Sequence, residues 1–326
     1  MPLYPLRFAP IFQYRLWGGR RLGGVLSELL PGSDPIGEAW VLSDRTDHQS
    51  LVANGPLKGR SLGQLMDNSR EQLMGKLASH FSRFPLLLKF LDADSMLSVQ
   101  VHPSDAHPEL IPAGDTAKTE AWVVIEAEKG SRIYAGLKSG TTETMLRGSL
   151  VDETVADHLV CIDPKPGDAV FIPAGTVHTL GDGVVVFEAQ QNSDVTFRLY
   201  DWGHVDPKTK QPRALQADQA FACIEFGASD SGLVAARVET CMPVLRERLF
   251  DCPAFLLWRL IGKEPFAIGT MAEPRVLTCI EGSGQIVHNE VPYSVGKGDV
   301  WLLPAEAGVC AFEPSGEVTL LEIAIP

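Results

Sequence analysis

The sequence predicts a mainly β protein built as a sandwich or barrel. Three observations carry this. Short runs rich in Val, Ile, Leu and Phe recur at regular spacing in two regions, about 85–200 and 253–326. Turn residues are frequent, with 30 Gly and 23 Pro among 326 residues. An eight-residue unit also occurs twice. Gly167-Asp-Ala-Val-Phe-Ile-Pro-Ala174 matches Gly298-Asp-Val-Trp-Leu-Leu-Pro-Ala305, a Gly entering a strand and a Pro that cannot extend its ladder ending it. The expected division is 1–235, a β domain with an N-terminal segment and helical insertions, and 236–326, a second and smaller β domain.

In chain order, the N-terminal segment contains Trp17-Gly18-Gly19, read as a loop in which an aromatic beside two glycines packs a turn or lines a ligand site. Glu38 and Trp40 pin that loop to the barrel. Helical spacing appears at Arg20–Leu30, Ser61–Phe81, Thr142–Leu150 and Ala214–Ala222, with Ser61 and Thr142 as N-caps. The first β region reads as strands Leu86–Leu91, Leu97–Val101, Ala121–Ala127, Arg132–Leu137, Ala169–Ile172, Val184–Ala189 and Val195–Tyr200. The second reads as Phe255–Leu260, Arg275–Ile280, Gly284–His288, Asp299–Leu303 and Val318–Ile323.

Charge and cysteine usage narrow the class. Lys and Arg number 28 against 41 Asp and Glu, a net charge of −13. Nucleic-acid binding and attachment to an anionic membrane both need a basic face and are excluded as expectations. A small anionic substrate is not excluded, because a few local cations override the global sign. No signal peptide or membrane span is read in the chain, and six scattered cysteines without a CxxC pair suit buried thiols in a reducing cytoplasm. The oligomeric state stays open.

One constellation carries chemistry. Gly167-x5-Pro173-x-Gly175-x2-His178 has the form of the second cupin motif, its Pro-x-Gly entry aiming the His178 imidazole into a barrel mouth. In Val99-Gln100-Val101-His102-Pro103, Gln100 and His102 share a strand face because side chains alternate. Lys118 and Glu120 share a face by the same rule. Two imidazoles, one carboxylate and one amide oxygen suit Zn²⁺, and can also hold Mn²⁺, Fe²⁺ or Co²⁺. At the matching place in the second copy of the repeat stands Val309, so one metal per chain is expected.

These residues resemble type I mannose-6-phosphate isomerase in its short bacterial form, over nearly the whole length. The motifs are Tyr4-Pro-Leu-Arg-Phe8, Trp17-Gly-Gly19, Ile36-Gly-Glu-Ala-Trp40, Pro85-Leu-Leu-Leu-Lys-Phe-Leu-Asp92, Ser98-Val-Gln-Val-His-Pro103, Lys118-Thr-Glu-Ala-Trp122, Pro173-Ala-Gly-Thr-Val-His178, Phe187-Glu-Ala-Gln-Gln-Asn-Ser-Asp194 and Arg198-Leu-Tyr-Asp-Trp202. The resemblance implies a cupin jelly roll carrying Zn²⁺, a second cupin-like domain without ligands, and interconversion of mannose 6-phosphate and fructose 6-phosphate. It also implies metal ligands Gln100, His102, Glu120 and His178, with Arg198 and Lys118 as active-site residues.

Moving a proton between C1 and C2 needs a base, a stabiliser of oxyanion charge and a grip on the phosphate. Lys118 is an acid/base candidate beside the metal, or else an ordinary strand-end lysine. Arg198 can clamp phosphate or pair with Asp201 or Asp194. Glu188 is a further acid/base candidate. Lys89, inside an apolar strand, reaches the pocket or extends its amine to solvent. Two other classes fit the same ligands: an iron-dependent cupin oxygenase, and a sugar-phosphate-binding cupin without catalysis.

Overall fold

The computed structural model describes residues 2–228 and 231–326. Two sheets form the first jelly roll. The larger has the order Gly232–Leu233, Ala169–Ile172, Glu120–Ala127, Val184–Gln191, Leu86–Ala93, Ile11–Gly19 and Ile36–Leu42. The smaller has the order Leu159–Ile162, Ile133–Leu137, His178–Leu180, Val99–Val101 and Phe197–Tyr200. Trp122, Val124, Leu91 and Val186 of the large sheet pack against Ile133, Ala135, Ile162 and Leu180 of the small one and fill the barrel.

A second pair of sheets repeats the plan. Leu6–Arg7, Val300–Leu303, Arg275–Glu281, Val318–Ala324, Leu256–Gly262, Leu245–Asp251 and Arg237–Thr240 form one. Phe266–Ile268, Cys310–Pro314, Ser283–His288 and Val291–Gly296 form the other. Between the two large sheets lies a shared core. Alternate residues Ala121, Val123, Val185, Phe187, Leu88 and Phe90 face Leu257, Val276, Leu302, Leu321 and Ile323. Each central strand is thus buried on both faces, which explains runs such as Leu86-Leu-Leu and Val184-Val-Val-Phe that show no alternation. The strand Leu6–Arg7 joins the second sheet from the far end of the chain, pairing with Trp301 and Leu302.

The repeated unit is the same tertiary device twice. Gly167 and Gly298 have φ of 88° and 87°. The Asp168 carboxylate accepts from Lys165 N and that of Asp299 from Gly296 N, both at 2.8 Å. Each following strand pairs with a central strand, so Ile172 lies opposite Glu120 where Leu303 lies opposite Arg275. The second barrel therefore places an arginine, paired with Glu273, where the first has a carboxylate. Val309, at the His178 position, is exposed.

Three expectations are corrected. Trp17-Gly18-Gly19 is not a loop but the end of the strand Ile11–Gly19, and Trp17 is buried in the barrel core. Gly18 is required there because a Cβ would sit 2.2 Å from Gly37 N. The helix at Arg20–Leu30 shrinks to Leu22–Val25, since Gly23 and Gly24 weaken it and Ser27 turns to φ 51°. The helix over Ser61–Phe81 divides into Leu62–Asn68, Arg70–Met74 and a 3₁₀ turn at Gly75–Leu77. Ser61 caps the first with a reciprocal Gln64 bond, and Thr142 caps Glu143–Val151 by accepting from Met145 N.

Gly75 ends the second segment at φ 56°, and its backbone abuts the second domain. Lys76 N donates to Ala272 O at 3.0 Å, and Ala305 N to Leu73 O at 2.9 Å. A Cβ on Gly75 would lie 2.2 Å from Ala272 O. Gly75→Ala is expected to destabilise by about 2–4 kcal/mol, read as a lower urea midpoint. An unchanged midpoint would show that this docking contributes nothing.

Candidate metal centre and cavity

Register places the cluster. His178 lies opposite Gln100 and Gln100 opposite Arg198, so three adjacent strands of the small sheet present these side chains in one row. Across the large sheet runs a second row, Trp122 to Glu188 to Lys89 to Trp40. Glu120 lies two residues before Trp122 on the same strand and the same face.

Glu120 is the centre of this arrangement. It is 1% exposed, and its Oε1 lies 2.7 Å from Lys118 Nζ and 3.3 Å from His102 Nε2, with Oε2 at 3.4 Å from His178 Nε2. His102, Glu120 and His178 each offer a ligand atom within 4.8 Å of the others. The imidazoles are held from behind: His102 Nδ1 lies 2.8 Å from Val195 O, and His178 Nδ1 lies 2.9 Å from Thr176 O. Donation from each Nδ1–H turns the Nε2 lone pairs inward. Gln100 meets His178 Nε2 through its amide nitrogen at 3.2 Å, and a half-turn of the amide presents the oxygen instead.

The donor set fits a divalent cation. Both Glu120 oxygens are buried without a well-formed hydrogen bond. Burial, then Lys118, push His102 down to about 3, and burial lowers His178, so both rings are neutral at neutral pH, the form that can donate to a cation. Against the cost of burial, the charge of Lys118 holds the Glu120 carboxyl well below the usual range.

Above this floor opens a cavity of about 400 Å³. Its lining includes seven of the nine residues expected at the site, Gln100, Glu120, Lys118, Glu188, Lys89, Trp17 and Arg198; His102 and His178 are buried outside that lining, beside Glu120. Lys89 is 3% exposed and does not reach solvent. It lies 3.4 Å from Glu188 Oε2 and 3.7 Å from Asp194 Oδ1, and it sits over the Trp40 ring at 5.0 Å. Glu188 also accepts from Trp122 Nε1 at 2.8 Å. Burial and the charge of Glu120 push Glu188 up to about 7, against the pull of Lys89. Arg198 makes no ion pair with Asp201 or Asp194 among the described residues. Its Nη1 donates to Ala214 O at 2.8 Å and its buried Nε has no partner.

Sequence reasoning missed two basic residues of the cavity, Arg15 and Arg213. Arg15 makes a bidentate pair with Glu38 at 2.9 and 3.0 Å. Had residues 11–19 been read as a strand, period-two alternation would have placed Arg15 on the Trp17 face. Arg213 lies outside any helix or strand, where no periodicity announces it.

A jelly roll with an inward carboxylate and two oriented neutral imidazoles beneath a charged cavity is a cupin whose donor set fits a divalent cation. The profile "Phosphomannose isomerase type I, catalytic domain" matches residues 6–134. A mannose-6-phosphate isomerase of Bacillus subtilis is 35% identical, the match covering 97% of this chain and 98% of that one. One from Streptococcus mutans is 34% identical over 92% of both. The crystal structure of the mannose 6-phosphate isomerase from Bacillus subtilis superposes with a TM-score of 0.90 at 29% identity, covering 99% of this chain and all of that one. The chain belongs to the type I phosphomannose isomerase family.

Glu188 also generates a pH test. Its folded pKa is raised, so the folded protein binds this proton more tightly than the unfolded chain does. Stability is then lost as pH rises from the ordinary carboxylate range through about 7. In metal-stripped protein, the melting-temperature difference between Glu188→Gln and wild type is expected to shift toward the variant between pH 5 and pH 8. A pH-independent difference would contradict the raised pKa.

Proposed function

We propose that this chain is a metal-dependent isomerase that interconverts D-mannose 6-phosphate and D-fructose 6-phosphate by proton transfer through an enediol. The observation that carries the reading is that one cavity is lined both by Glu120, the carboxylate of the His102–Glu120–His178 cluster, and by Arg198, a cation that pairs with no carboxylate among the described residues. Family membership supplies the reaction. The cavity supplies groups at both ends of an anionic sugar.

Gln100, His102, Glu120 and His178 are the ligands we assign, with Zn²⁺ as the ion and one per chain. A divalent cation held there polarises a carbonyl or hydroxyl oxygen of the open-chain sugar. The chain's own groups do the rest. Arg198 takes the phosphate with its unpartnered nitrogens. Trp17 and Lys89 line the wall between, where Trp17 offers a flat apolar face to the carbon chain. Lys118, beside Glu120, exchanges protons with the sugar's oxygen atoms.

Glu188 has the pKa for the carbon proton. Held near neutrality, it can remove the C2 hydrogen of the aldose as a carboxylate and return it to C1 as an acid. The proton on O2 of the aldose is lost and one is gained at O1, so the sugar's formula is conserved. Lys89, anchored between Glu188 and Asp194, keeps this carboxyl pointed into the cavity. A soluble cytoplasmic setting suits such an enzyme; among the described residues, no helix is long and apolar enough to cross a membrane.

The test couples fructose 6-phosphate formation to a reporter enzyme and measures metal on the same sample. Metal-replete protein is expected to turn over mannose 6-phosphate, and chelation to abolish turnover until Zn²⁺ is restored. Glu120→Ala and His102→Ala are each expected to lose most bound metal and at least about 100-fold in activity. Full metal occupancy in both variants would overturn the ligand assignment. Absence of turnover with mannose, glucose and allose 6-phosphates would overturn the function.

A further inference from the structure

The excursion between the strand Phe197–Tyr200 and the helix Ala217–Cys223 returns a second arginine to the cavity. Its limbs meet at an isolated bridge between Val205 and Pro212, and Asp206 N donates to Gln211 O at 3.0 Å. Its tip is fastened to the opposite side of the barrel. Tyr14 Oη donates to Asp206 Oδ1 at 3.0 Å, Lys208 Nζ lies 2.6 Å from Asp34 Oδ2, and the Lys208 amine covers the Tyr14 ring. Arg213 sits on the returning limb, one residue before the Ala214 carbonyl that holds Arg198 Nη1.

Arg213 is fixed by one neighbour. Its Nε donates to Asp201 Oδ2 at 2.9 Å and its Nη2 to Asp201 Oδ1. Asp201 is buried, and the Arg213 side chain is only 21% exposed. This pairing commits one edge of the guanidinium and leaves Nη1 without a hydrogen-bond partner among the described residues. Arg198 is close enough for the charge of Arg213 to lower its pKa, second only to burial. Two guanidinium groups therefore share a wall with a single carboxylate. Each other cation of the cavity has a carboxylate of its own: Arg15 has Glu38, Lys89 has Glu188 and Asp194, and Lys118 has Glu120. Packing like charges together is unfavourable unless an anion is expected between them.

We propose that Arg213 is the second phosphate-binding residue of this cavity, with Asp201 as the positioning residue that sets its guanidinium plane. A phosphate dianion bound there bridges Arg198 and Arg213. The sugar then extends toward the Lys118–Glu120 end. This rests on the isomerase reading only for the identity of the sugar; the anion site stands on the two arginines.

The experiment measures steady-state constants for mannose 6-phosphate and competitive inhibition by inorganic phosphate, for wild type, Arg213→Lys and Arg213→Met. Loss of one charge-assisted contact corresponds to about 10- to 100-fold in affinity. Arg213→Met is expected to raise KM and the phosphate inhibition constant by the same factor in that range, with kcat falling far less. Arg213→Lys is expected to recover part of both. Because Arg213→Met strands the buried Asp201 carboxylate, the double variant Asp201→Asn/Arg213→Met supplies a form without that charge, and it is expected to show the same loss of phosphate affinity. Unchanged KM and phosphate inhibition in Arg213→Met would overturn the proposal, as would a fall in kcat alone. Direct calorimetry with inorganic phosphate separates this from the isomerase reading. Phosphate binding sensitive to Arg213→Met in a protein without turnover would refute the activity and uphold the anion site.

Discussion

Everything at this site depends on keeping ionised groups in a barrel that excludes water. Glu120, Glu188, Glu38 and Lys89 are all at most 8% exposed, with Trp122, Leu91 and Val186 of the same sheet packed into the core. An isolated carboxylate at that depth is so unfavourable that it would neutralise. The chain meets this by alternation of sign along and across the sheet. Lys118 faces Glu120, Lys89 faces Glu188, and Arg15 takes Glu38 bidentately. Trp122 and Trp40 each add an indole N–H to a glutamate, so the aromatic rings that fill the core also solvate its charges. Glu120 keeps its charge beside Lys118, yet neither of its buried oxygens has a well-formed hydrogen bond. Its accepting capacity is left open where the family's chemistry needs a cation.

The second barrel shows what the fold does without that requirement. The same Gly-Asp turn and the same strand pairing recur with matching hydrogen bonds. Yet its interior around Trp258, Leu277, Phe312 and Leu320 is mainly apolar, and its buried carboxylate, Glu322, is fully partnered by Arg246 and Gly269 N. Arg275 stands in the position of Glu120, and Val309 stands on the surface in place of an inward histidine. Its contribution is mechanical. It covers the outer face of the sheet that carries Lys89, Glu120 and Glu188, and the Leu6–Arg7 strand and the Gly75 turn bind the two halves together. A strand buried on both faces has little freedom to shift register, and a one-residue slip would turn these charges outward.

Legibility in the sequence followed this physics. Central strands such as Ala169–Ile172 and Val184–Gln191 were readable because double burial demands continuous β-branched and aromatic runs. The inward set of Gln100, His102, Glu120 and His178 was readable because alternation and the Pro-x-Gly turn act over a few residues. The strands Ile11–Gly19 and Ile36–Leu42 were not. Gln13, Arg15 and the two glycines interrupt the first, where sheet contacts made by Glu38 and Gly37 override local preference. Helix lengths were over-read because apolar spacing persists through Gly23, Gly24 and Gly75, where the backbone turns. Arg213 left no trace, since its place is set by an ion pair with Asp201 across an irregular excursion.

A net charge of −13 and a site for an anion are compatible because the cavity has its own balance. Its lining carries five basic side chains, Arg15, Lys89, Lys118, Arg198 and Arg213, against four acidic ones, Glu38, Glu120, Glu188 and Asp194. The surplus is not spread evenly. It is concentrated at Arg198 and Arg213, away from the paired charges on the large sheet. At the other side lies Glu120, and a dication bound by Glu120 with His102 and His178 would reverse the sign of charge there. A phosphorylated sugar would then meet positive potential at both of its ends, while the carboxylates on the outer surface lie across intervening solvent that screens them within about 8–10 Å. The polarity of the cavity, rather than that of the molecule, orients the substrate.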